Sequence, residues 1–107
     1  VLEASVRRML AREPAWMYLT HYSRVGDVPR LGALLLDLLA QLVALGRREQ
    51  ALAPAERHEA LKRGQLDIFC ASLAAHGCTL PRAAVAELLA IDLELNAQGM
   101  AIWLDRR

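Results

Sequence analysis

The sequence predicts a mainly α-helical chain of about four helices, with one short strand near the N-terminus. Leu supplies 21 and Ala 19 of the 107 residues, and both residue types favour helices. Val, Ile and Thr together supply only 11 residues, which is too few for an all-β sandwich or barrel. The length allows one compact domain, so we expect residues 1–107 to form a single domain.

The N-terminal quarter of the chain is predicted to contain one helix and one strand. The helix covers Leu2–Glu13 and stops at Pro14, because the residue before a proline is disfavoured in the helical region. Ala15–Thr20 is the only strand-like segment, and one further turn of helix is the alternative. A lone strand cannot satisfy its own backbone groups, so its sheet partners come either from another chain or from a missing N-terminal part of the protein, and we expect the latter.

Three longer helices are predicted to follow. Asp27 is a suitable N-cap for the first of them, Val28–Arg48, in which a leucine stripe runs from Leu31 to Leu45. The next covers Ala55–His76. The last is predicted to continue unbroken from Thr79 to Asp105.

Charge and composition exclude several partners. With 13 basic and 12 acidic residues, the chain has no field that would attract nucleic acid. The apolar stretch Leu31–Gly46 is shorter than the roughly 20 residues that span a bilayer, and Asp37 and Gln41 interrupt it, so we expect no membrane partner. Two cysteines, Cys70 and Cys78, are too few for a secreted disulfide scaffold, so we expect a cytoplasmic protein.

The last predicted helix carries polar residues on its apolar side. On a wheel of about 100° per residue, Asp92, Asn96 and Trp103 fall within a narrow sector together with Gly99. A buried carboxylate needs a partner, so the pair Asp92 and Asn96 is either a structural hydrogen-bonded pair or part of a site. Gly99 on the same side suggests that another group packs closely there.

Histidine and cysteine offer few further candidates. His21 opens a polar loop directly after the strand-like segment, where site residues often collect, although a structural histidine is the alternative. His58 lies among charged residues and is expected to be solvated. Cys70, His76 and Cys78 have no CxxC spacing and do not predict a zinc site.

Two segments resemble a known family. Met17-Tyr-Leu-Thr-His-Tyr-Ser-Arg-Val-Gly-Asp-Val is similar to the segment that closes the active site in metallo-β-lactamase-fold hydrolases, in particular their glyoxalase-II-like bacterial members. There a strand ends in Thr/Ser-His, an aromatic residue and a short loop follow, and a long helix begins. Asp92–Leu104 resembles the terminal helix of a subgroup with an appended helical region. The resemblance implies that residues 1–27 end an αββα hydrolase core and that residues 28–107 form appended helices.

The same resemblance implies a role in metal-dependent hydrolysis of ester, thioester or lactone-like bonds. His21 would be one ligand of a centre of two divalent metal ions, expected to be zinc, in the intact protein. Asp92, Asn96 and Trp103 would face the substrate entrance or steady the His21 loop. The family's His-x-His-x-Asp-His motif and bridging Asp are absent here. A zinc site needs about three protein ligands, so the chain alone is expected to hold no metal and to be inactive, with its own N-terminal hydrolase domain as partner.

The alternative is a free-standing helical module for protein–protein association. Its basis is the helix at residues 31–45, whose apolar surface exceeds what three other helices are expected to cover and which could form a homo-oligomer. The segment Ala15–Thr20 separates the two hypotheses, because a strand favours the hydrolase and a continuous helix favours the module.

Overall fold

The computed structural model describes all residues, Val1–Arg107, and 71% of them are helical. It therefore confirms the mainly helical fold class. There are five helices rather than four, together with a two-stranded antiparallel sheet. The elements in chain order are α1 Leu2–Leu10, β1 Met17–Tyr18, β2 Arg24–Val25, α2 Val28–Glu49, α3 Pro54–Ala75, α4 Arg82–Leu88 and α5 Ala90–Asp105.

The chain divides into two compact units, Val1–Ala40 and Gln41–Arg107, and the boundary lies inside α2. In the first unit, α1 approaches the start of α2 closely. A Cβ placed on Gly32 would lie 2.6 and 2.8 Å from the two methyl carbons of Leu10, so the Leu10 side chain would have to move to admit a larger residue. Val6 is the buried residue of α1.

The assignment of residues 1–27 to the end of a hydrolase core remains a prediction.

The strand has its partner within the chain. Met17 pairs with Val25 and Tyr18 with Arg24, and the Leu19 amide donates to the Ser23 carbonyl at 3.0 Å. The expectation that the strand's partner lies outside these residues is therefore wrong. The sequence assigned Arg24 and Val25 to a polar loop, because a two-residue strand is too short to show alternation between apolar and polar residues.

In the second unit α3 packs mainly against α5. The core contains Leu45 from α2, Leu61 from α3 and Ala97 from α5, all of them almost fully buried. Ile68 and Met100 pack around these three residues and extend the core along the same two helices. This packing fixes which side of α5 is buried.

The last predicted helix is broken. Leu89, with φ −100° and ψ 11°, separates α4 from α5, although its amide still donates to the Val85 carbonyl and its carbonyl accepts from Leu93. No glycine or proline marks this position, so the sequence contained no signal for the break.

Helix α2 is longer than the apolar stretch used to exclude a membrane span. It extends three residues beyond Leu31–Gly46 at either end, and by length and composition it could cross a bilayer. Core helices of soluble proteins can meet the same criterion. Only 17% of its most apolar window is buried within the chain.

Candidate functional site

His21 lies in the turn that joins β1 to β2. Its side chain is exposed and makes no hydrogen bond or ion pair within the chain. Both ring nitrogens are therefore accessible to a ligand from outside. Tyr18 and Tyr22, which are 78% and 79% exposed, place two aromatic rings near the same turn.

The base of the hairpin is held by an aromatic clamp. The Arg24 guanidinium lies 4.2 Å from the centre of a Trp16 ring, a distance typical of a cation–π contact. Gly26 allows that ring to approach the backbone, because a Cβ on Gly26 would lie only 2.9 Å from the Trp16 Cζ3. These contacts restrict the loop that carries His21.

Asp92 and Asn96 do not occupy a buried face. Both are exposed, whereas the neighbouring residues Leu93 and Ala97 are buried. The expectation of burial is wrong, because the buried centre of α5 lies about 100° further around the helix than the wheel placed it. Water can hydrate both polar side chains, so neither needs a buried partner. Their proposed position at a substrate entrance remains a prediction.

Trp103 and Gly99 differ in their surroundings. The Trp103 ring packs against Gly46 of α2, where an added Cβ would lie 2.9 Å from its Cζ3, and Arg107 lies 5.1 Å from the ring centre. Trp103 thus joins the end of α2 to α5, and a role at a substrate entrance remains a prediction. A Cβ placed on Gly99 would meet nothing within 4 Å, so no group of this chain packs closely there.

A polar cluster between α3 and α5 was missed by the sequence analysis. The Glu94 carboxylate lies 3.0 Å from His58 Nε2 and 3.2 Å from Lys62 Nζ, and accepts a hydrogen bond of 2.8 Å from Gln98. Hydrogen bonds from Gln98, then His58 and Lys62, lower the pKa of Glu94 to about 2. His58 is therefore partnered rather than simply solvated. The sequence shows that His58 and Lys62 are four residues apart in one helix and that Glu94 and Gln98 are four apart in another. It does not show that the two pairs meet.

Two buried polar residues lie in the interior of the same unit. Arg57 is 9% exposed and donates to Asp105 at 2.8 Å, while its Nε has no partner. Gln65 is fully buried and donates to the Leu93 carbonyl at 3.2 Å, while its Oε1 has no partner. These groups fix the pairing of α3 with α5 rather than forming an accessible site.

An open groove of about 630 Å³ runs along α3. It combines the acidic residues Glu56 and Glu59 with the basic residue Arg63 around a floor that includes Ala60 and Gly64. No histidine, cysteine or serine lines it. The groove therefore offers charged contacts but no imidazole, thiol or hydroxyl group.

The chain brings together no group of three or more His, Cys, Asp or Glu side chains that could hold a metal ion. His21 by itself does not fit a metal centre, which needs further ligands. No family model, curated protein or solved structure matches the chain. The features with functional potential are the exposed His21 loop and the apolar surfaces of the helices.

Proposed function

We propose that this chain is the C-terminal helical region of a metallo-β-lactamase-fold hydrolase and contributes one metal ligand, His21. The observation that carries the proposal is the local order of elements. β1 ends at Tyr18, His21 stands exposed in the following turn, the short strand β2 follows at Arg24–Val25, and the 22-residue helix α2 begins at Val28. The resemblance of Met17–Val28 implies a strand, a histidine loop and a long helix in this order, but no strand between the loop and the helix. The pairing of β1 with β2 does not support the proposal, because the hydrolase hypothesis expected the partner of this strand to lie outside the chain.

Each proposed site residue then has a defined part. His21 offers an accessible imidazole nitrogen, and Trp16 with Arg24 restrains the hairpin that carries it. Asp92 and Asn96 are exposed polar groups suited to contact substrate at an entrance. Trp103 supports α5 by packing against α2. The remaining metal ligands come from residues outside this chain, so the chain alone is inactive. The bonds attacked are of the ester, thioester or lactone type.

The test is a comparison of two histidine variants in the intact hydrolase. His21→Ala is expected to lower both bound metal and ester or thioester turnover at least tenfold, because a direct ligand should matter at least as much as a supporting one. His76→Ala is the matched control, since His76 is also exposed and its ring contacts only the Ser72 carbonyl, at 2.7 Å. Equal metal content and turnover in the two variants would overturn the assignment.

A second candidate function, a helical association module, is favoured by the exposure of α2. Only 17% of its most apolar window is buried, and Leu35 is 50% exposed. Large uncovered apolar surfaces mark interfaces. Leu35→Lys is expected to lower the average mass of the chain in sedimentation equilibrium relative to Ala33→Lys, a substitution at an exposed position of the same helix. Equal masses would contradict association through α2.

A further inference from the structure

An apolar stripe on the outer side of the second unit has no partner within the chain. Leu88 at the end of α4 and Ile91, Leu95 and Ile102 on α5 are 70, 74, 60 and 53% exposed. Within α5, the spacings of four and seven residues between Ile91, Leu95 and Ile102 match the seam of a coiled coil, and Leu88 precedes them across the break at Leu89. We call these four residues the α5 stripe. The stripe points away from the core contact of α5.

Gly99 leaves an indentation within the α5 stripe. It lies four residues after Leu95 and three before Ile102, so the three residues share one face. An added Cβ on Gly99 would meet nothing within 4 Å. Glycine is unfavourable in a helix interior, and no contact within the chain requires it here. Close approach of another helix would require it.

Charges are divided between the two ends of the α5 stripe. Glu87 and Asp92 lie near its start, whereas Arg106 and Arg107 follow its end, where the acidic Asp105 is already paired with Arg57. Glu87, Asp92 and Arg106 form no ion pair within the chain, although all three are exposed. The stripe thus has an acidic end and a basic end. Two copies in antiparallel orientation would bring unlike ends together, and two parallel copies would bring like ends together.

We propose that the α5 stripe binds a second copy of this chain in antiparallel orientation, about a two-fold axis near Leu95. This register places Leu95 against its own copy, Ile91 over the indentation at Gly99, and Leu88 beside Ile102. Glu87 then lies about one helical turn from Arg106 of the second copy, within reach of the long arginine side chain. At about 1.5 Å per residue the seam is only about 20 Å long. Such an interface is small, so the dimer is weak and reversible. The proposal is independent of the hydrolase assignment.

Sedimentation equilibrium of the full chain tests the surface. Leu95→Lys is expected to weaken dimerisation at least tenfold, because the two-fold axis brings both introduced charges together. Leu95 is exposed, so the helical circular dichroism signal should not change. Ala33→Lys on α2 is the control with the same added charge and is expected to dimerise like the wild type. If Leu95→Lys and Ala33→Lys show the same dissociation constant, the α5 stripe is not the interface.

Charge exchange tests the orientation. Glu87→Arg and Arg106→Glu are each expected to weaken the homodimer, and an equimolar mixture of the two variants is expected to form a heterodimer. Gly99→Leu fills the indentation and is expected to weaken dimerisation without loss of helix content. If the mixture associates no better than either variant alone, or if Gly99→Leu dimerises as tightly as the wild type, the antiparallel arrangement is wrong.

Discussion

Two glycines in helix interiors should respond in opposite ways to the same substitution. Gly64 in α3 lies against the buried Leu45, and a Cβ on Gly64 would be 2.9 Å from Leu45 Cδ2 and 3.2 Å from its Cγ. Leu45 is 1% exposed, so it cannot swing into solvent. Gly99 in α5 has open space around the corresponding position. Comparing the alanine substitutions at Gly64 and Gly99 therefore separates the effect of helix propensity on stability from the effect of packing.

The magnitudes follow from two opposing effects. Replacing glycine by alanine in a helix interior is favourable by about 1 kcal/mol at either position. Overpacking a core costs about 1–3 kcal/mol, and this cost applies only at Gly64. Gly99→Ala should therefore raise the free energy of unfolding by about 1 kcal/mol. Gly64→Ala should change it by between about 0 and −2 kcal/mol.

The measurement is urea unfolding followed by circular dichroism, at concentrations where the chain is monomeric. The difference between the two variants, about 1–3 kcal/mol, equals the packing strain at Gly64, since the propensity gain cancels. Thermal unfolding should rank the wild type and the two variants in the same order. A Gly64→Ala variant as stable as Gly99→Ala would show that α2 and α3 do not approach each other at Leu45, and would refute the packing of Leu45 against Gly64.

Two further predictions concern the ion pairs of α5. Hydrogen bonds, first from Gln98, lower the pKa of Glu94, so the contribution of Glu94 to the free energy of unfolding is complete above pH 4.5 and is lost as the pH falls toward 2. Glu94→Gln should therefore reduce the pH dependence of stability measured by urea unfolding. An unchanged pH profile in this variant would contradict the prediction. Asp105→Ala should lower the free energy of unfolding by about 1–3 kcal/mol, because it leaves the charge of Arg57 buried without a partner. Arg57→Met should lower it by less, since it removes the buried charge itself. If thermal unfolding ranks the two variants in the reverse order, the prediction for the buried pair is wrong.

Much of the fold was predictable because the signals for it are local. The high content of leucine and alanine indicates helices, and Pro54 marks where α3 begins, whereas α1 ends at Leu10, three residues before the end predicted from Pro14. The predicted limits of α2 and α3 agree with the structure to within one residue. Helix propensity depends on neighbours in the chain, which the sequence displays directly.

The candidate site was less predictable because it depends on burial. The wheel showed that Asp92, Asn96 and Trp103 share a side of α5, but it could not show which side α3 covers. Because Ala97 packs against Leu61, Asp92 and Asn96 lie on the exposed side of α5. No pattern within α5 alone distinguishes these orientations, since apolar residues surround most of its circumference.

The sequence by itself thus determined the helical class and the limits of α2 and α3. The tertiary structure decided the local pairing of β1 with β2, the break at Leu89 and the meeting of His58 with Glu94. For the contacts between α3 and α5, the physical reason is distance along the chain. Propensities act over a few residues, whereas ion pairs between α3 and α5 join residues 32 to 48 positions apart.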